Sequence, residues 1–93
     1  MSDQKQPLAI ALRYESGKQD LAPKVIAKGR GEIAKKIIEV AAQNGVPLKE
    51  EPMLAELLAQ VELGDYIPQT LYEAVAAVIA FAYRIRQERE GML

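Results

Sequence analysis

The chain has no cysteine and no histidine among its 93 residues. The first absence removes disulfides, thiolate zinc sites and cysteine nucleophiles together, and it fits a reducing compartment. The second removes the usual general base at neutral pH and the commonest metal ligand, so triad hydrolysis and zinc catalysis lack their parts. Charge of either sign is also lacking in excess: 12 basic residues face 13 acidic ones, interspersed along the chain. No strong field is available to drive nucleic-acid binding by counterion release. Long hydrophobic runs are missing as well. Ala74 to Ala82 is too short to cross a bilayer, and Met1 to Gln6 is polar where a signal peptide needs an apolar stretch. These absences imply a cytoplasmic, non-catalytic protein without cofactor or metal.

What is present describes one compact domain. Apolar residues make up 49% of the chain, and a polypeptide this short must bury most of its leucine, isoleucine and valine to offset about 1 to 2 kcal/mol of backbone ordering per residue. Residues 1–6 read as a disordered polar terminus and residues 7–90 as the domain.

The first strand is legible from alternation. Leu8, Ile10, Leu12 and Tyr14 fall on one face, Ala9, Ala11 and Arg13 on the other. A polar loop over 15–22 precedes Pro23, and Lys24–Lys28 predicts a second strand, with Gly29-Arg30-Gly31 turning into a helix. Ile33, Ile37, Val40 and Ala41 place that helix over Glu32–Asn44, stopped by Asn44-Gly45. Val46–Lys49 predicts a short third strand at an edge because of Pro47, which makes strand, helix, strand a right-handed parallel crossover. Pro52 opens a helix to about Val61, striped by Leu54, Leu57, Leu58 and Val61. After Gly64-Asp65 and Pro68 the longest helix runs to about Glu88 on Leu71, Val75, Val78, Ile79, Ala82 and Ile85. The expected fold is α/β: a small sheet of about three strands surrounded by three main helices.

Candidate sites are few. Lys28-Gly29-Arg30-Gly31 lacks the endings of a phosphate-binding loop, and Glu50-Glu51 beside Pro52 reads as a pair of dipole partners, so no metal is assigned. Tyr66, Tyr72, Tyr83 and Phe81 suggest an aromatic surface, but Tyr72 and Phe81 sit in an apolar helix where core packing explains them first. Ala22-Pro23, a small residue before a rigid one, suits a shallow apolar dent. Arg84, Arg86 and Arg89 complement the negative end of the last helix.

The ordered blocks Ala-Ile-Ala-Leu-Arg-Tyr, Ala-Pro-Lys-Val-Ile-Ala-Lys-Gly, Gly-Val-Pro-Leu, Val-Glu-Leu-Gly-Asp-Tyr-Ile-Pro and Leu-Tyr-Glu-Ala-Val-Ala-Ala-Val-Ile-Ala resemble the FlhB family from about Pro7 to Arg86. These are export-gate switch proteins of flagellar and virulence type III secretion, and the likeness is to their cytoplasmic C-terminal domain. It implies a stand-alone FlhB-like (FlhX-type) relative, acting as an accessory or substitute part of the gate and bearing on substrate-specificity switching. Family members cleave themselves at Asn-Pro-Thr-His just before the matched strand. Here Gln4, Lys5, Gln6 and Pro7 stand opposite, and a glutamine would have to close a six-membered ring where asparagine closes a five-membered succinimide. The resemblance therefore implies no autocleavage.

It also implies two partners at the gate. The family receives short hydrophobic segments of unfolded export substrates in an apolar pocket, and the matching positions are Ala22, Pro23, Ala76 and Ile79. The family's upstream strand is not part of this sequence, so the edge of Leu8–Tyr14 is open to an FlhB upstream fragment or to weak self-association. Two other classes remain: a small RNA- or nucleotide-binding module using Lys24, Lys28, Arg30, Lys35 and Lys36, and a dimeric structural adaptor using the strand edge.

Overall fold

The structure, a computed structural model, describes residues 6–14 and 22–91. Its elements are β1 (Leu8–Arg13), β2 (Lys24–Arg30), α1 (Glu32–Gln43), α2 (Pro52–Leu58) and α3 (Tyr72–Gly91), with one 3-10 turn over Gln69–Leu71. The class is α/β, and three helices surround a small sheet.

The two strands are antiparallel neighbours, paired from Leu8↔Arg30 to Arg13↔Lys24. Their ladder holds an irregularity at Ala11/Leu12: Ala11 faces Ala27 while Leu12 faces Val25, so Ile26 is the extra residue. A bulge of this kind reverses which face the following residues take. Here it brings Val25, fully buried, to the side of Leu12 and Ile10 and leaves Ile26 half in solvent.

The two faces are covered by different helices. Lys28 and Arg30 reach toward α2, whereas the intervening Gly29 lies under Ile33 of α1. On the α1 side the strands present Ala9, Ala11, Ala27 and Gly29, all small, and Ala34 is the fully buried residue of the helix. Close approach replaces bulk: Ala34, Ile37 and Ala41 are the least exposed residues of α1, while Ile33, which packs over Gly29 at the start of the helix, and Val40 remain exposed.

Beyond β2, the third stretch at the sheet comes from residues 64–67. Gly64 and Ile67 donate to the carbonyls of Val25 and Pro23 at 2.7 and 2.9 Å, Val25 donates to Asp65 at 3.1 Å, and Lys24 bridges to Tyr66. Val46–Lys49, expected as the third strand, forms none, and the parallel crossover built on it is absent among the described residues. The reason is a shortage of donors. Pro47 has no N–H, and the Val46 N–H is taken by the Ala41 carbonyl at 2.9 Å, which together with Gly45 N–H to Ala42 caps α1 in a Schellman arrangement with Gly45 at φ 69°.

The core gathers Ala22, Val25, Leu58, Ile67 and Val75, backed by Ile10, Leu12, Leu54, Val61, Leu71 and Ile79. The return from α2 is held by one side chain: the Lys28 ammonium donates to the carbonyls of Ala59 at 2.9 Å and Val61 at 2.7 Å. These carbonyls belong to the frayed end of α2, where a cation is favoured. Lys28→Met keeps the stem and removes both bonds, and is expected to lower stability by about 1 to 2 kcal/mol. Urea unfolding of the two proteins checks this.

Candidate functional site

Pro23 restricts Ala22 to extended backbone, and both residues are buried where the chain enters β2. Alongside runs α3, on which Tyr72, Val75, Ala76, Ile79, Ala80 and Tyr83 recur at three and four residues and so share a stripe. Val75 and Ile79 sink toward the core; Ala76 and Ala80 are too short to fill the space above them. The result is a cleft of about 340 Å³ lined by these residues, Ala22, Pro23 and Tyr14 from the end of β1. All four residues singled out from the sequence, Ala22, Pro23, Ala76 and Ile79, lie in its lining.

Among the described residues no charged side chain lines this cleft. Tyr14, Tyr72 and Tyr83 of its lining are 36, 42 and 44% exposed. Tyr72 is therefore not a core residue as the sequence suggests; Phe81 is half-buried, with the Lys49 ammonium 5.2 Å from its ring centre. Tyr66 lies apart from the cleft, under Lys24 at 4.9 Å. Helical spacing to Ala76 was the signal that could have enlisted Tyr72, Ala80 and Tyr83; nothing in the sequence pointed to Tyr14.

A second, wider groove of about 1030 Å³ is lined mainly by β1 and by residues 48–58, with Arg30 of β2 and Ile38 of α1. Leu8, Ile10, Leu54, Leu58 and Val78 line it, with exposed Leu48 and Met53 at its margin. Among the described residues β1 is laddered to β2 alone, so its other edge is open.

The basic residues near the Gly-rich turn do not form a free cationic patch. Lys28 is held by two carbonyls, Arg30 makes a two-pronged pair with Glu56 at 2.9 and 3.1 Å, and Lys24 stacks on Tyr66. Lys35 and Lys36 lie 3.4 and 3.8 Å from Glu32 and Glu39. The hydrogen bonds that Arg30 donates to Glu56, and then the charge of Glu56, hold the guanidinium above its ordinary range. Glu51 of the acidic pair lies 3.7 Å from Lys49.

An antiparallel pair clasped by α1 and α2, with an apolar cleft between the β2 entry and the last helix, is the architecture of an FlhB-type cytoplasmic domain. The cytoplasmic domain of FlhB from Shewanella putrefaciens is 38% identical with a TM-score of 0.83, over 90% of this chain and 65% of that one. The chain belongs to the FlhB HrpN YscU SpaS family, which it matches over residues 6–82. It is 47% identical over 87 residues to the flagellar biosynthetic protein FlhB of Yersinia enterocolitica, covering 91% of this chain and 22% of that protein. It is also 44% identical over 77 residues to the uncharacterized protein YlqH of Bacillus subtilis, covering 83% of this chain and 82% of that one. This chain thus spans about a fifth of the FlhB relative. No helix among the described residues is long and apolar enough to cross a membrane. Gln4 and Lys5, opposite the family's cleavage tetrapeptide, lie outside the described residues.

Proposed function

We propose that the chain is a non-catalytic accessory or substitute component of a flagellar or type III export gate, which captures hydrophobic segments of unfolded export substrates in the cleft between Pro23 and α3. One observation carries this reading. Four residues assigned to substrate capture by family resemblance, two before β2 and two in α3, converge on one concavity whose described lining carries no charged side chain. Its size is at the small end of ligand pockets, about 300 to 1,000 Å³, which suits one or two large side chains and weak, transient capture. Chemistry by the chain itself has little support in a sequence without histidine or cysteine. A purified sample is accordingly expected to keep a single intact mass on prolonged incubation at neutral pH. Fragments near the amino end would contradict this.

The same reading includes docking on the gate by strand addition. The open edge of β1 offers backbone donors and acceptors beside a groove with apolar Leu8, Ile10, Leu54 and Leu58 and charged residues in its lining, a combination that can receive an extended partner strand. The partner in this reading is the FlhB segment that precedes the family's matched strand, and the place of action is the cytoplasmic side of the membrane gate. Amide exchange over residues 8–14 is expected to slow about 10-fold or more when that segment is added as a peptide. Unchanged exchange at saturating peptide would argue against pairing. The nucleic-acid alternative is not favoured, because its candidate cations already have carbonyl, carboxylate or ring partners. Pull-down with the membrane export protein and with unfolded flagellar substrates tests the proposal as a whole.

A further inference from the structure

The tyrosines give the cleft a direction and a polarity that its apolar floor does not. Three of the four tyrosines in the chain line it. Tyr72 and Tyr83 lie eleven positions apart on one stripe of α3, about 16 Å along the axis at 1.5 Å per residue. Between them the short Ala76 and Ala80 and the half-buried Ile79 line the cleft, so the space above α3 is a trough with a tyrosine toward each end. Tyr14 borders the trough from β1. No hydrogen bond engages any of the three hydroxyls among the described residues, whereas Tyr66, outside the cleft, is paired with Lys24.

We propose that Tyr14, Tyr72 and Tyr83 are the specificity-determining residues of this cleft, selecting an uncharged, extended peptide segment of about five residues. The proposal rests on the reading of the cleft as a substrate site and names how that site discriminates. Five residues at about 3.3 Å each span the distance between Tyr72 and Tyr83. An extended strand has no internal partners for its carbonyls, and phenolic hydroxyls at both ends of the trough donate to them while the ring faces pack on neighbouring side chains. A large apolar side chain at the centre fills the space over Ala76 and Ala80. A charged one there finds no counter-charge in the lining among the described residues and loses its water.

The probes are two capped pentapeptides, Gly-Leu-Phe-Leu-Gly and Gly-Leu-Glu-Leu-Gly, titrated into the full chain and followed by amide chemical shifts. The first is expected to bind and the second not to bind. Tyr72→Phe and Tyr83→Phe, which keep the rings and remove the hydroxyls at exposed sites, are each expected to weaken the first peptide about 5-fold. Equal binding of both peptides, parental affinity in the doubly substituted protein, or no binding of the phenylalanine peptide at millimolar concentration would overturn the proposal. An Ala76→Asp protein separates this failure from that of the underlying reading. If it loses the peptide while the two phenylalanine variants keep it, the cleft stands and the tyrosine rim falls; if it binds as the parent does, the cleft itself is not the site.

Discussion

An Ala76→Asp protein is expected to keep its fold and to lose affinity for unfolded export substrates by about 100-fold. Ala76 is exposed on α3, so aspartate replaces no core contact; its cost to the helix is limited to about 0.5 kcal/mol of intrinsic propensity. In the cleft the carboxylate stands among tyrosine rings and aliphatic side chains, with no cation in the lining among the described residues. While the cleft is open, water hydrates it. When a ligand's apolar side chain enters, that water must leave and nothing replaces it. Ile79→Asp has the same consequence for binding and a further one for stability, because Ile79 is half-buried and packs on the core around Val75. Fluorescence anisotropy with a labelled substrate segment measures the loss, and circular dichroism with a melting curve establishes that the variant is folded. Parental affinity in a folded Ala76→Asp protein would remove the cleft from the mechanism.

Gly29→Ala is expected to destabilise the domain by about 1 to 3 kcal/mol, the usual cost of overpacking. A Cβ built at position 29 overlaps the Ile33 side chain, including the Cβ of Ile33 at 2.7 Å. The flexible end of a long side chain could swing away, but the Cβ of a residue in the first turn of α1 moves only with its backbone. The helix must therefore lift from the sheet, and with it Ala34, which is fully buried. For a domain of this size each kcal/mol lowers the melting temperature by about 4 to 8 °C. A Gly29→Ala protein melting with the parent would mean that α1 does not rest on the sheet through Gly29. The companion change Ile33→Ala should recover only part of the loss, since it removes the outer side chain of a 61% exposed residue but leaves the Cβ that meets position 29.

Much of the architecture follows from local pattern. Alternation located β1, a short apolar run between Pro23 and Gly29 located β2, the three- and four-residue spacing located all three helices, and Asn44-Gly45 and Pro52 marked ends that the structure keeps. The miss at Val46–Lys49 has a physical cause that sequence could partly have shown: with proline at 47 and the neighbouring N–H committed to the helix cap, the segment cannot ladder. The miss at residues 64–67 could not have been seen, because Gly64-Asp65-Tyr66-Ile67 reads as a turn and becomes a sheet edge only when Pro23 and Val25 lie beside it. Tyr72 was assigned to the core by its apolar neighbours, although rotation about the helix axis places it on the open side with Ala76.

By itself the sequence determined the α/β class, the helices and the FlhB-type resemblance, which in turn pointed to Ala22, Pro23, Ala76 and Ile79, since periodicity, turn chemistry and block order are properties of neighbours along the chain. Tertiary structure alone decided that the strands pair antiparallel across a bulge, that residues 64–67 flank them, and that three tyrosines surround the same cleft. Those facts depend on which distant segments meet, and that is settled by the summed burial of Val25, Leu58, Ile67 and Val75, not by any one stretch of sequence.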